Sequence, residues 1–144
     1  MTPDTFTVLR SLPLAFMALA TACASPAREN DCAAIIAWVH AHYGERLRGD
    51  PQIFYGDFTG DGARDALAWV TYNDGGVQNF GEGALFRDRG GRMAYWRMDE
   101  TASGENPRDV RIVPGRITLT TTVLQDGDAR CCPSGEQRWT INAR

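Results

Sequence analysis

Asp65–Tyr72 reads DALAWVTY, and this stretch decides the fold. In an extended strand Leu67, Trp69 and Thr71 face one way, and Ala66, Ala68, Val70 and Tyr72 face the other. A strand wetted on one side alternates apolar with polar groups. Here both faces carry apolar groups, which makes the strand a central one.

Directly before it runs YGDFTGDGAR, Tyr55–Arg64. Counting from Asp57, the side chains of Asp57, Thr59, Asp61 and Asp65 fall at positions 1, 3, 5 and 9, and Gly62 at position 6 permits a sharp turn. Alternate oxygen-bearing residues on a tight loop suit a hard cation, and the carbonyl of Ala63 at position 7 supplies a further oxygen. Three carboxylates so close together repel one another unless something neutralises them. The expected metal ligands are therefore Asp57, Thr59, Asp61, Ala63 and Asp65, and the expected ion is calcium. Magnesium, which keeps its waters, suits so many ligands less well. A helix–loop–helix calcium site would need a bidentate Glu at position 12; that position is Ala68, inside the strand.

Upstream, CAAIIAWVHAHYGERLRG sets Ile35, Trp38, Val39, Tyr43 and Leu47 on one helical stripe. Asn30 or Asp31 can cap its start, and Gly49 with Pro51 stops it. Downstream the pattern is β. Strands are expected at Ile53–Gly56, Ala84–Arg87, Met93–Met98, Val110–Val113, Arg116–Gln125 and Gln137–Ile141. Asn73 through Gly83 reads as a Gly-rich loop, and Asp99–Asn106 as a polar one. The expected fold is α+β: one N-terminal amphipathic helix packed on a mainly antiparallel sheet of about six to seven strands.

The chain has 144 residues, 43% of them hydrophobic, which suits one domain with a modest core. Net charge is −3, and all 15 basic residues are arginine, with no run of them. That argues against nucleic acid or an anionic membrane as the main partner. Arg10 followed by SLPLAFMALATA, Ser11–Ala22, has the length and apolarity of an export signal and is short for a membrane span. Residues 1–22 are expected as signal peptide, 23–30 as linker and 31–144 as the domain. The expected destination is the periplasm or outer membrane.

The cysteines are Cys23, Cys32, Cys131 and Cys132. In an oxidising compartment Cys32 is expected to pair with either Cys131 or Cys132, stapling helix to C-terminal hairpin. A bond between the neighbours themselves departs from usual disulfide geometry. His40 and His42, the only histidines, lie two apart on the helix and face different directions. Glu82, Asp99 and Glu100 are the acids available for acid–base work, with nothing in the sequence to fix their separation. Tyr95 and Trp96 are adjacent on one strand, so they face opposite ways and one of them is free to anchor a partner.

Three resemblances add to this reading. Cys23, behind ALATA, resembles the lipidated cysteine of a bacterial lipobox, which implies a lipid anchor; a soluble secreted form is the alternative. DFTGDGARDALAWV resembles the Asp-rich calcium loop of FG-GAP repeats, with Thr59 where Asn or Asp is more usual. Leader, short helix, G-D-x-x-G-D-G-x-x-D-A and then CCPSG at Cys131–Gly135 resemble small envelope lipoproteins of the LppP/LprE kind. That resemblance implies a cell-envelope protein and carries over no catalytic residue. The expected function is a non-enzymatic, calcium-stabilised binding protein of the bacterial envelope, a monomer with a protein partner. An inhibitor or immunity protein is one version. The rivals are a calcium-dependent envelope hydrolase and a purely structural envelope protein.

Overall fold

A computed structural model describes residues 26–144. Helix α1 spans Pro26–Tyr43 and tightens into a 3₁₀ turn at Gly44–Arg46. Seven strands follow: β1 (Gln52–Gly56), β2 (Asp65–Tyr72), β3 (Phe80–Asp88), β4 (Met93–Met98), β5 (Glu105–Val113), β6 (Arg116–Val123) and β7 (Gly135–Asn142). All pairings are antiparallel between sequence neighbours. The strands form two sheets, β1-β2-β3-β4 and β5-β6-β7, where the sequence led us to expect one.

The two faces of β2 explain this arrangement. Ala66, Ala68 and Val70 join Ala84 and Phe86 of β3 against Ile35, Val39 and Tyr43 of the helix. Small alanines on this side let the helix sit close. Leu67, Trp69 and Leu85 point the other way, against Ile117, Leu119 and Ile141 of the second sheet. The first sheet is thus the middle of three layers, with helix on one side and second sheet on the other. Each fully buried side chain of this size contributes about 1.5–3 kcal/mol, and both cores hang on the same two strands.

The helix starts at Pro26, inside the segment read as a linker, and runs through the expected capping residues Asn30 and Asp31. Proline is well tolerated in a first turn, where no intrahelical N–H bond is lost. The signal-peptide and lipidation expectations, including Cys23, lie outside the described residues.

Two strands extend by four or more residues beyond the starts the sequence suggested. β3 begins at Phe80 and absorbs Gly81 and Gly83. At Gly81 a Cβ would stand 1.8 Å from the carbonyl oxygen of Gly104, so the glycine is what lets the approach to the second sheet pass over β3. β5 begins at Glu105 because two bulges break its alternation. Asn106 and Asp109, at φ of 51° and 53°, take the left-handed conformation that Asn and Asp tolerate best.

The expected staple from Cys32 to the C-terminal pair is not formed: Cys131 bonds Cys132. Cys32 is also disulfide-bonded, and to neither of these two. The layering gives the reason. Cys32 is buried on the helix side of the first sheet, whereas the 131–132 pair sits in the β6–β7 connection of the second.

Candidate functional site

The Asp57–Asp65 loop links β1 to β2 and is held by its own amides. Asp65 opens β2 with no exposed surface. Its Oδ2 accepts hydrogen bonds from the N–H of Phe58 (3.1 Å), the N–H of Thr59 (2.9 Å) and the Thr59 hydroxyl (2.9 Å). Its Oδ1 accepts one from the N–H of Asp88 (3.2 Å). Asp57 receives the N–H of Gly60 (2.6 Å) and of Gly62 (2.8 Å), and Asp61 receives that of Ala63 (2.8 Å). The Gly62 N–H does most to hold the Asp57 carboxyl below the usual carboxylate range.

The structure therefore brings Asp57, Thr59 and Asp65 together through the Thr59 hydroxyl, which lies 3.3 Å from Asp57 Oδ1. Asp61 is exposed and points to Ala63. Asp65 turns inward to the backbone. Among the described residues no group of three or more His, Cys, Asp or Glu side chains is placed to hold a metal.

At one end of the two sheets a cleft of about 310 Å³ opens. Phe80 and Tyr72 form one wall, stacked at 5.6 Å. Ser103 and Gly104 line it where the chain crosses between sheets, and Leu124, Arg130 and Pro133 line the opposite side. Glu82, Asp99 and Glu100 all border it, but two of these acids are engaged. Glu82 accepts the Tyr43 hydroxyl at 2.5 Å, while burial, aided by Glu82, pushes the Tyr43 pKa far up. Asp99 is buried and accepts the Thr101 hydroxyl and the Ala102 N–H, both at 2.8 Å. Exposed apolar groups stand on both sides: Phe80 is 42% exposed and Leu124 37%. Sequence reasoning marked the Gly-rich loop but missed the far wall. Its only signal was Leu124, an apolar group at the end of a strand leading into a polar turn.

The CCPSG loop completes that wall. Asp128 accepts the Ser134 hydroxyl (2.7 Å), the Ser134 N–H (2.8 Å) and the Gln125 N–H (3.1 Å). These bonds, the Ser134 hydroxyl foremost, hold its carboxyl below the usual range. Asp128 is the clamp of this loop.

His40 and His42 are both exposed. His42 stacks on Trp38 at 4.7 Å, and His40 stands 3.9 Å from Asp50. Tyr95, 41% exposed, stacks on the other side of Trp38 at 4.3 Å. Trp96 faces the opposite way, against Phe58 and beneath Arg87.

Comparison with protein-family models, curated proteins and solved structures finds no match. The likenesses to FG-GAP loops and to LppP/LprE lipoproteins rest on their motifs alone.

Proposed function

We propose that this chain is a non-enzymatic binding protein of the bacterial envelope. It is exported through its leader, anchored through Cys23, and engages a protein partner at the cleft end. The observation that carries this reading is the pair of exposed apolar groups, Phe80 and Leu124, on the two sides of a polar cleft. Soluble monomers scatter such groups singly; set on the two sides of one recess, they mark a docking site. The hydrogen bonds that Glu82 and Asp99 accept within the protein support a binding role over acid–base work. Among the described residues no helix is long and apolar enough to cross a membrane, which accords with attachment through a lipid.

The test is a cross-linking pull-down from envelope extract with the tagged domain, run beside Phe80→Ser and Leu124→Ser. A partner captured by the parent and lost by both variants supports the proposal. A partner kept by both refutes the cleft as its seat.

We infer a reduced role for calcium, as an ion that adds stability to the Asp57–Asp65 loop without being needed to close it. The exposed Asp61 and the ionised Asp57 favour this reading. Calcium should raise the melting temperature by a few degrees, chelator should reverse that, and Asp61→Ala should abolish the response. A melting temperature indifferent to calcium ends it.

A further inference from the structure

The outer face of the second sheet gathers arginines that the sequence scatters. Ile117, Leu119 and Thr121 of β6 face the core, so Thr118, Thr120 and Thr122 face outward. In register with them stand Thr140, Arg138 and Glu136 of β7, and Arg111, Arg108 and Glu105 of β5. Arg116 extends the face at the start of β6, beside Asn142.

The bulges of β5 produce this grouping. Regular alternation counted back from Arg111 would turn Arg108 inward with Val110. The bulge at Asp109 restores Arg108 to the outer face, where its guanidinium reaches the Thr122 hydroxyl (3.2 Å) and pairs with Glu136. The second bulge, at Asn106, does the same for Glu105. Bulges re-aim side chains at a local conformational cost that folds keep where the new direction is used.

At the corner of this face lies a depression of about 460 Å³ lined by Arg116, Arg144, Thr140 and Asn142, with Val113 at its rim and no Asp or Glu side chain in its lining. Arg111, Arg116 and Arg138 are exposed, and among the described residues none of them has an ion-pair partner. On a chain of net charge −3 this is a local field of the opposite sign.

We propose that this face binds an anionic polysaccharide, with one charged group of the polymer seated in the depression at Arg116. The depression at Arg116 lies at the opposite end of the face from Glu105 and Thr122, which border the cleft, and the test is independent of the protein partner proposed there. Charge selects an anion, and geometry selects its form. Neighbouring strands lie about 4.8 Å apart, so the edge strands that carry Arg111 and Arg138 are about 10 Å apart across the face. A chain with repeated anionic groups can engage both of them and the depression at Arg116 together. The threonine hydroxyls between them suit a hydroxyl-rich polymer. No aromatic side chain faces outward among the in-register residues of β5, β6 and β7 to stack a nucleic-acid base, and no apolar row is present to enter a bilayer.

The test is the binding of the full chain to polygalacturonate by calorimetry, with neutral dextran and anionic phosphatidylglycerol vesicles as separate arms. Binding to polygalacturonate alone is expected, weakening at least about tenfold between about 50 and 200 mM NaCl. Arg111→Gln with Arg138→Gln should weaken it about tenfold again and flatten the salt dependence. Arg89→Gln with Arg92→Gln, an equal charge change in the β3–β4 turn, should leave it unchanged. Circular dichroism confirms that each variant is folded, and Arg116→Gln provides a second site on the same face. Equal binding to dextran, binding only to vesicles, or equal loss from both double variants overturns the proposal, as does no binding at the lower salt.

Discussion

Removing the Asp65 carboxylate is the sharpest perturbation this fold offers. Asp65 is fully buried, and its two oxygens serve three backbone N–H groups and one hydroxyl drawn from both the loop and β3. Asp65→Ala orphans all of them. A buried donor without a partner costs about 1–3 kcal/mol, and the Phe58 N–H is the one least able to find water. Allowing the half-exposed Thr59 groups to recover some solvent, the expected loss is about 3–5 kcal/mol. For a domain of this size that is a melting point lowered by about 10–20 °C. Asp65→Asn keeps one acceptor. Its oxygen should take the place of Oδ2, where three donors converge, and leave the Asp88 N–H facing an amide nitrogen, for a loss of about 1–2 kcal/mol. Asp61→Ala removes one bond from an exposed position and should cost under about 1 kcal/mol. Urea unfolding followed by circular dichroism resolves these differences. If Asp65→Ala is no more damaging than Asp61→Ala, the reasoning about the loop is wrong.

Acid should erode stability through two carboxylates. The folded-state pKa values of Asp57 and Asp128 both lie below their unfolded values, chiefly through the Gly62 N–H and the Ser134 hydroxyl respectively. Their contribution is therefore present above about pH 4 and lost as pH falls through the folded values. Asp57→Asn and Asp128→Asn should each flatten the acid limb of a stability–pH curve, and unchanged limbs would discount the bonds. The alkaline side has the opposite sense: the raised pKa of Tyr43 favours the fold up to about pH 10 and that contribution fades above it, so Tyr43→Phe should lessen the alkaline decline seen by thermal melting. Gly81→Ala drives a methyl into the Gly104 carbonyl and should prevent the second sheet from docking, read as loss of the near-ultraviolet signal of Trp69, whose indole N–H also bonds that carbonyl; a native-like spectrum would refute the close approach.

Much of the first sheet was legible because its residues obey simple periods. The two apolar faces of DALAWVTY announced a central strand, and the spacing of Ile35, Val39 and Tyr43 announced the helix face. The second sheet was harder to see. Alternation shows which side of a strand is apolar but not which sheet the strand joins, so one sheet was expected where two form. β5 hid behind ENPRD, whose bulge-forming Asn106 and Asp109 are also the residues that mark loops. The Asp loop was found by composition, yet whether Asp65 points outward to an ion or inward to amides depends on where Phe58 and Asp88 place their N–H groups, and spacing carries no such information. The arginine face was invisible for the same kind of reason: its members come from three strands.

The bond between Cys131 and Cys132 encloses almost no chain. A cross-link stabilises in proportion to the freedom it denies the denatured polymer, and one that joins neighbours denies very little. Its effect is confined to the shape of the connection between β6 and β7, which borders the cleft through Arg130 and Pro133. A thiol reductant acting at this bond would therefore reshape a wall of the recess while leaving the melting point nearly where it was, so the redox sensitivity of this one bond is to be sought in what the protein holds rather than in whether it stays folded.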